Sequence, residues 1–213
     1  FAPISASTRA AGSVDFGSPT GPTSGLGVDL FFTPAILEFG ALVSRYVADN
    51  GWEIGLMSDG APFATFGDGS DSVMLIGAYP PHVGERVNIA ANYRVFEDHT
   101  GVQLLVNGEI ADEAVTTLGQ PTDGTSLTLG GVVGTYDQLR IHDGALDALR
   151  FGVANGLANP SFQSAYSVPR SADNKLILRF NQTNGVFADD SGNDHHAGLL
   201  KEWRTGLRRA ELF

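Results

Sequence analysis

The 213-residue chain has no cysteine, so neither a disulfide nor a thiolate zinc centre is open to it. It also lacks any apolar run approaching the ~18 residues of a membrane-crossing helix. Bases are scarce: 13 Lys and Arg stand against 24 Asp and Glu, for a net charge of −11. A surface that acidic repels phosphate backbones and argues against a nucleic-acid partner. It suits solubility in a salty medium and can supply oxygen ligands to a hard cation. A basic segment followed by a short apolar one is missing from the start, and the first residue is Phe1. The chain therefore reads as a mature or excised piece of a longer polypeptide. No internal repeat recurs at a solenoid period.

What is abundant is turn chemistry. The 27 Gly and 10 Pro recur between apolar runs, and a hydrophobic fraction of 42% with 13 Phe is enough for a packed core. A chain of this length buries about 70% of its unfolded surface and suits one large β domain or two small ones. Residues 1–27, rich in Ala, Ser, Thr, Gly and Pro, read as an arm carrying one strand near Val14 and Phe16. Strands are expected at 28–32, 41–47, 52–57, 62–66 and 73–76, with hairpin signals at Asp49-Asn50-Gly51 and Ser58-Asp59-Gly60. Further strands are expected at 110–115, 126–129, 135–142 and 175–180. One helix is expected over 143–153, where Leu146, Leu149 and Val153 recur at helical spacing.

The most regular stretch is residues 86–109. Val87, Ile89, Ala91 and Tyr93 alternate with Asn88, Asn92 and Arg94, which predicts a strand with one buried and one solvated face. A polar turn, a second strand from Val102 to Val106 and the dipeptide Asn107-Gly108 follow. Asn-Gly between extended runs predicts a type I′ turn, since both central residues need positive φ. The stretch is an antiparallel meander. About a dozen short strands in all predict an all-β chain, a two-sheet antiparallel β-sandwich with one short helix.

The order of these pieces resembles the laminin-G-like, concanavalin A-like jelly-roll superfamily. Gly51-Trp52-Glu53-Ile54-Gly55-Leu56 before Asp59-Gly60 looks like that family's central hairpin, and the 87–93 and 102–109 strands look like its most recognisable pair. Residues 126–131, 136–142 and Ala145-Leu146 match its closing strands, so the resemblance covers roughly residues 10–153 in family order. The family's opening strand and its Asp-x-Ser-Gly-Asn-x-x-His turn resemble residues 176–180 and 189–196 instead, at the far end of the chain. Three arrangements account for this: a circular permutation within one domain of residues 1–213, a second module cut short, or a segment 172–213 donated to a neighbour. The first is favoured, because the tail is too short for a second core.

Catalytic patterns are missing. Retaining glycan hydrolysis needs paired carboxylates on one strand face, and Glu109, Asp112 and Glu113 do not provide the spacing. Lyase constellations and serine or cysteine nucleophile motifs are absent as well. A metal site is better supported: Asp189, Asp190 and Asn193 share a tight Gly-containing turn whose oxygens suit calcium. The resemblance adds Asp137, whose counterpart lies near a structural calcium in relatives. Asp68, Ser70 and Asp71 form a second oxygen-rich turn that reads as loop solvation, and His195-His196 lacks a third zinc ligand. Among aromatic candidates for sugar stacking, Trp52 and Tyr93 lie on apolar faces and read as core. Tyr79 and His82, on a Pro-stiffened loop, are the expected ligand-binding pair.

These features imply a non-catalytic recognition or adhesion module, extracellular or at the cell surface, whose partner is a glycan or a surface protein and which calcium stabilises. The alternative is a structural subunit of an extracellular or viral assembly that self-assembles by exchange of terminal strands. A polysaccharide hydrolase or lyase is a remote third.

Overall fold

The computed structural model describes residues 6–7, 12–13, 25–78, 80–120, 127–143, 174–178, 186–187 and 197–198. Their strands are β1 (Ala6–Ser7), β2 (Gly12–Ser13), β3 (Gly25–Pro34), β4 (Gly40–Val47), β5 (Asn50–Leu56), β6 (Pro62–Asp68) and β7 (Ser72–Ile76). They continue with β8 (Val87–Val95), β9 (Thr100–Val106), β10 (Glu109–Thr116), β11 (Thr128–Leu129) and β12 (Gly134–Asp143). The last are β13 (Asn174–Leu178), β14 (Val186–Phe187) and β15 (Ala197–Gly198). All pairings are antiparallel. Sheet A runs β1-β12-β3-β8-β9-β10, sheet B runs β2-β11-β4-β5-β6-β7, and β14 pairs β15 separately. The free side of β12 takes β1 at Thr135–Tyr136 and β13 at Leu139–His142, so β13 lies on β12 of its own chain.

Alternation places the core. Leu26, Val28, Leu30 and Phe32 of β3 face sheet B together with Val87, Ile89, Ala91 and Tyr93 of β8, Val102 and Leu104 of β9, and Leu139 and Ile141 of β12. Sheet B answers with Trp52, Ile54, Leu56, Ala64, Phe66 and Leu75. The ring centroids of Phe66 and Tyr93 lie 5.7 Å apart across the two sheets, within the range of favourable aromatic pairs. Trp52 and Tyr93 are core residues, as their apolar faces predict.

The meander is confirmed as β8-β9-β10, and its tight turn holds Asn107 at φ 53° and Gly108 at φ 86°. The turn between β4 and β5 departs from expectation. Its left-handed residues are Ala48 and Asp49, not the Asn50-Gly51 pair. Gly51 belongs to β5 and has φ 108° because the strand passes tightly over the Arg45 carbonyl, where a Cβ would collide. The expected helix is also displaced at its start, for β12 extends through Asp143; residues 144–153 lie outside the described residues.

Two glycine substitutions separate collision from conformational preference. Gly51→Ala should destabilise the fold by roughly 2–4 kcal/mol in urea denaturation, combining a forbidden φ with a backbone clash. Gly84→Ala, at φ 79° but with nothing within 4 Å, should cost only about 1–2 kcal/mol.

Candidate functional site

The loop of residues 80–86 is closed by its own hydrogen bonds. His82 N–H donates to Glu85 Oε2 at 2.8 Å, and Glu85 N–H returns to the His82 carbonyl at 2.9 Å. Gly84 N–H donates to the Pro34 carbonyl at 2.8 Å, which pins the loop to the end of β3. Pro81 is buried, whereas His82, Val83 and Glu85 are exposed. Arg86 then leaves the loop along the outer side of sheet A. Its guanidinium sits 4.1 Å above the ring of Phe31, and its Nε donates to Asp137 Oδ2 at 2.5 Å.

Two groups of residues that the sequence named for different purposes thus meet. His82 belongs to the expected ligand pair and Asp137 to the expected calcium set, and Arg86 joins the loop of one to the strand of the other. Tyr79, Asp189, Asp190 and Asn193 lie outside the described residues. Asp137 comes forward at a bulge in β12, between Tyr136 and Gln138, with 15% side-chain exposure. A cation there would compete with the Arg86 guanidinium for the same carboxylate. Among the described residues no three His, Asp or Glu side chains gather as metal ligands.

The other acids named from sequence hold loops. Asp68 Oδ1 accepts from the Ser70 amide at 2.8 Å, the Ser70 hydroxyl at 2.7 Å and the Asp71 amide at 3.0 Å, while Oδ2 accepts from the Gly119 amide at 2.8 Å. The Ser70 hydroxyl, followed by these amides, holds the Asp68 carboxyl far below the usual carboxylate range. Asp112 accepts from the Ile76 amide across the two sheet edges at 2.9 Å, and Glu113 from Gln103 Nε2 at 2.9 Å. Glu109 is exposed. None of these forms an acid–base pair.

The outer face of sheet A overturns one expectation. Asn88, Asn92 and Arg94 of β8 are predicted to be solvated because they alternate with apolar residues, and Gln138, Arg140 and His142 of β12 share their face of the sheet. They are buried; only Arg94 of the set is exposed. Alternation says which residues share a face and not whether that face is wet. Cross-strand rows order them. Gln138, Phe31 and Asn88 form one row, Arg140, Asp29 and Ala90 the next, His142, Gly27 and Asn92 the third.

Asp29 sits at the centre with 0% exposure, and Arg140 has 2%. Arg140 Nε lies 3.1 and 3.0 Å from the two Asp29 oxygens, its other nitrogen lies 2.7 Å from Oδ1, and His142 Nε2 lies 2.9 Å from Oδ2. Burial pushes the Asp29 carboxyl up, but Arg140 and His142 outweigh it and hold the group below its ordinary value of 3.8. Asp29 was missed in the sequence, although a signal existed. It is a lone acid in an apolar ten-residue strand, and Arg140 and His142 alternate on another. Its oxygens are consumed by partners, so the triad is an internal brace with no free base.

Removing one member should be far worse than removing both. Arg140→Met should cost about 3–5 kcal/mol by stranding a buried carboxylate. The double variant Asp29→Leu/Arg140→Met should recover most of that in equilibrium denaturation, and failure to recover would mean that packing rather than charge sets the loss. Asp68 gives a pH test. Its folded-state pKa is depressed, so its contribution is complete above the unfolded value of 3.8 and is lost as pH falls below it. Asp68→Ala should therefore lower the thermal midpoint at pH 7 and flatten its decline below about pH 4.

No family model matches the chain, and comparison with curated proteins finds no match. Solved structures share its fold. A Bacteroides ovatus protein described as a candidate carbohydrate-binding protein aligns with TM-score 0.61 and 12% identity, over 90% of this chain and 58% of its own. The SAP-like pentraxin of Limulus polyphemus, a heptamer, aligns with TM-score 0.54 and 12% identity over 91% of both chains. The binding domain of Paraclostridial Mosquitocidal Protein 1 aligns with TM-score 0.50 and 17% identity, over 67% of this chain and 38% of that one. The chain thus spans little more than half of the first of these proteins and well under half of the toxin domain. At these identities the likeness establishes a shared β-sandwich fold.

Proposed function

We propose that this chain is a non-catalytic recognition module of the laminin-G-like, concanavalin A-like jelly-roll type, working outside the cell on glycans. The observation that carries the reading is the rim loop of residues 80–86. It is pinned to β3 and β12 and hydrogen-bonded within itself, yet it presents His82, Val83 and Glu85 to solvent. A loop ordered before its ligand arrives loses little entropy on binding, which is what a recognition surface needs. Tyr79 is assigned as the stacking partner for a sugar face. The carbohydrate-binding description of the Bacteroides protein supports the glycan over a protein partner. Asp189, Asp190 and Asn193, with Asp137, are assigned to a structural calcium.

The strand-exchange assembly is the weaker reading, because β13 pairs with β12 of its own chain. A glycan array followed by calorimetry tests the recognition reading. The chain should bind a defined glycan class, His82→Ala should weaken that binding about tenfold with the thermal midpoint unchanged, and calcium should raise the midpoint relative to chelator. No array signal would remove the glycan half, and identical midpoints with calcium and chelator the metal half.

A further inference from the structure

The sequence contains four Asn-Gly pairs, at 50–51, 107–108, 155–156 and 184–185, and the last two lie outside the described residues. In such a pair the glycine amide can approach the asparagine side chain unhindered, for want of a Cβ. The fold treats the two described pairs differently. Asn50 opens β5 and lies in a ladder between Val47 of β4 and Asp68 of β6. Asn107 is exposed at the turn from β9 to β10, where the register of β8 with β9, last at Ile89 and Val106, would next pair it with Asn88. Its N–H donates to the Asn88 carbonyl at 2.8 Å, as that pairing requires. The return bond goes to the side chain: Asn88 N–H donates to Asn107 Oδ1 at 2.9 Å. The asparagine amide thus completes the ladder while its backbone, at φ 53°, makes the turn.

We propose that Asn107 is a modification site, deamidated by its own backbone at a rate that the turn controls. The Gly108 nitrogen attacks Asn107 Cγ, so that a new C–N bond forms and the bond from Cγ to Nδ2 breaks. The Gly108 amide proton passes through water to the leaving nitrogen, which departs as ammonia. Water then opens the succinimide at either carbonyl, leaving aspartate or isoaspartate, with no change of oxidation state. Ring closure turns the side chain onto Gly108, so the Oδ1 bond to Asn88 must break and the turn must open first. Opening one turn is easier than parting β5 from both β4 and β6, which would free Asn50. The two products differ in what they do to the sheet. Aspartate keeps an oxygen for the Asn88 N–H, suits the same turn before glycine, and adds a negative charge beside the exposed Glu109. Isoaspartate carries the main chain through the former side chain, which adds a carbon to the turn and puts the β9–β10 register out. The modification is independent of what the rim loop binds.

The test incubates the full chain in mildly alkaline buffer, folded and in urea, and follows the conversion of amide to acid at each Asn-Gly pair by peptide mass spectrometry. In urea Asn107 and Asn50 should convert at similar rates, because glycine follows both. In the folded chain Asn107 should convert roughly tenfold or more slowly than in urea, and Asn50 more slowly still. Conversion of Asn107 at the same rate folded as in urea would show that the turn exerts no control and would overturn the proposal. Conversion of Asn50 as fast as Asn107 in the folded chain, including the case in which neither converts, would overturn it too. Two variants test the hydrogen bond. Asn107→Asp, equivalent to the first product, should melt within about 2 °C of wild type, whereas Asn107→Ala, which takes the acceptor from the Asn88 N–H, should melt roughly 2–6 °C lower. Equal midpoints for Asn107→Ala and wild type would mean that the Oδ1 bond does not hold the turn closed, and the proposed control would fall.

Discussion

A buried carboxylate set the terms for sheet A. Asp29 lies in the middle of a strand that is closed to solvent on both faces, where an unpaired charge would cost several kcal/mol. Arg140 meets it with a forked guanidinium and His142 adds a fourth contact, so β3 and β12 can pair only in the register that brings residue 29 opposite 140. A slip by one residue would turn Leu30, Phe32, Leu139 and Ile141 away from the core as well as breaking the ion pair. Both β1 and β13 attach to β12, so the same register places these two strands as well. The brace confers little net stability over an apolar replacement; its effect is to penalise every alternative pairing.

That brace shapes what surrounds it. It commits the outer face of sheet A to polar residues while burying them, beside the cation-π contact of Arg86 with Phe31. Arg86 belongs at once to the rim loop, through its place in the chain, and to the polar face, through Phe31 and Asp137. The exposed loop and the buried row are thus mechanically continuous even where their chemistry differs. At the opposite sheet edges the acids serve a humbler purpose, with Asp68 tying the loop after β6 to Gly119 and Asp112 tying β10 to β7.

Much of the architecture was readable beforehand because short-range rules dictate it. Period-two alternation located β3 through β10 within a few residues, and Asn107-Gly108 announced its turn because few other pairs accept two left-handed residues in succession. The Ala48-Asp49 turn was misplaced for a related reason. Asp-Asn-Gly contains the right residue types, but the glycine was required one strand position later by the close approach of Arg45. The loop around His82 was legible from its prolines. The role of Arg86 was not, since its partners Phe31 and Asp137 are 55 and 51 residues away in the chain, that is 86 − 31 and 137 − 86.

The sequence by itself determined the fold class, the strands from β3 to β10 and the exclusion of cysteine chemistry, because composition and local periodicity act over a few residues. Whether a polar face is wet or dry is a different kind of fact. The alternation of Asn88 and Asn92 with Ile89 and Ala91 is the same in either case, and only the assembled sheets decide that Gln138, Arg140 and His142 are buried beside Asp29. Tertiary structure also decided which polar atoms found partners. A hydrogen bond is made between groups brought together from distant strands, and no stretch of chain contains both ends of it.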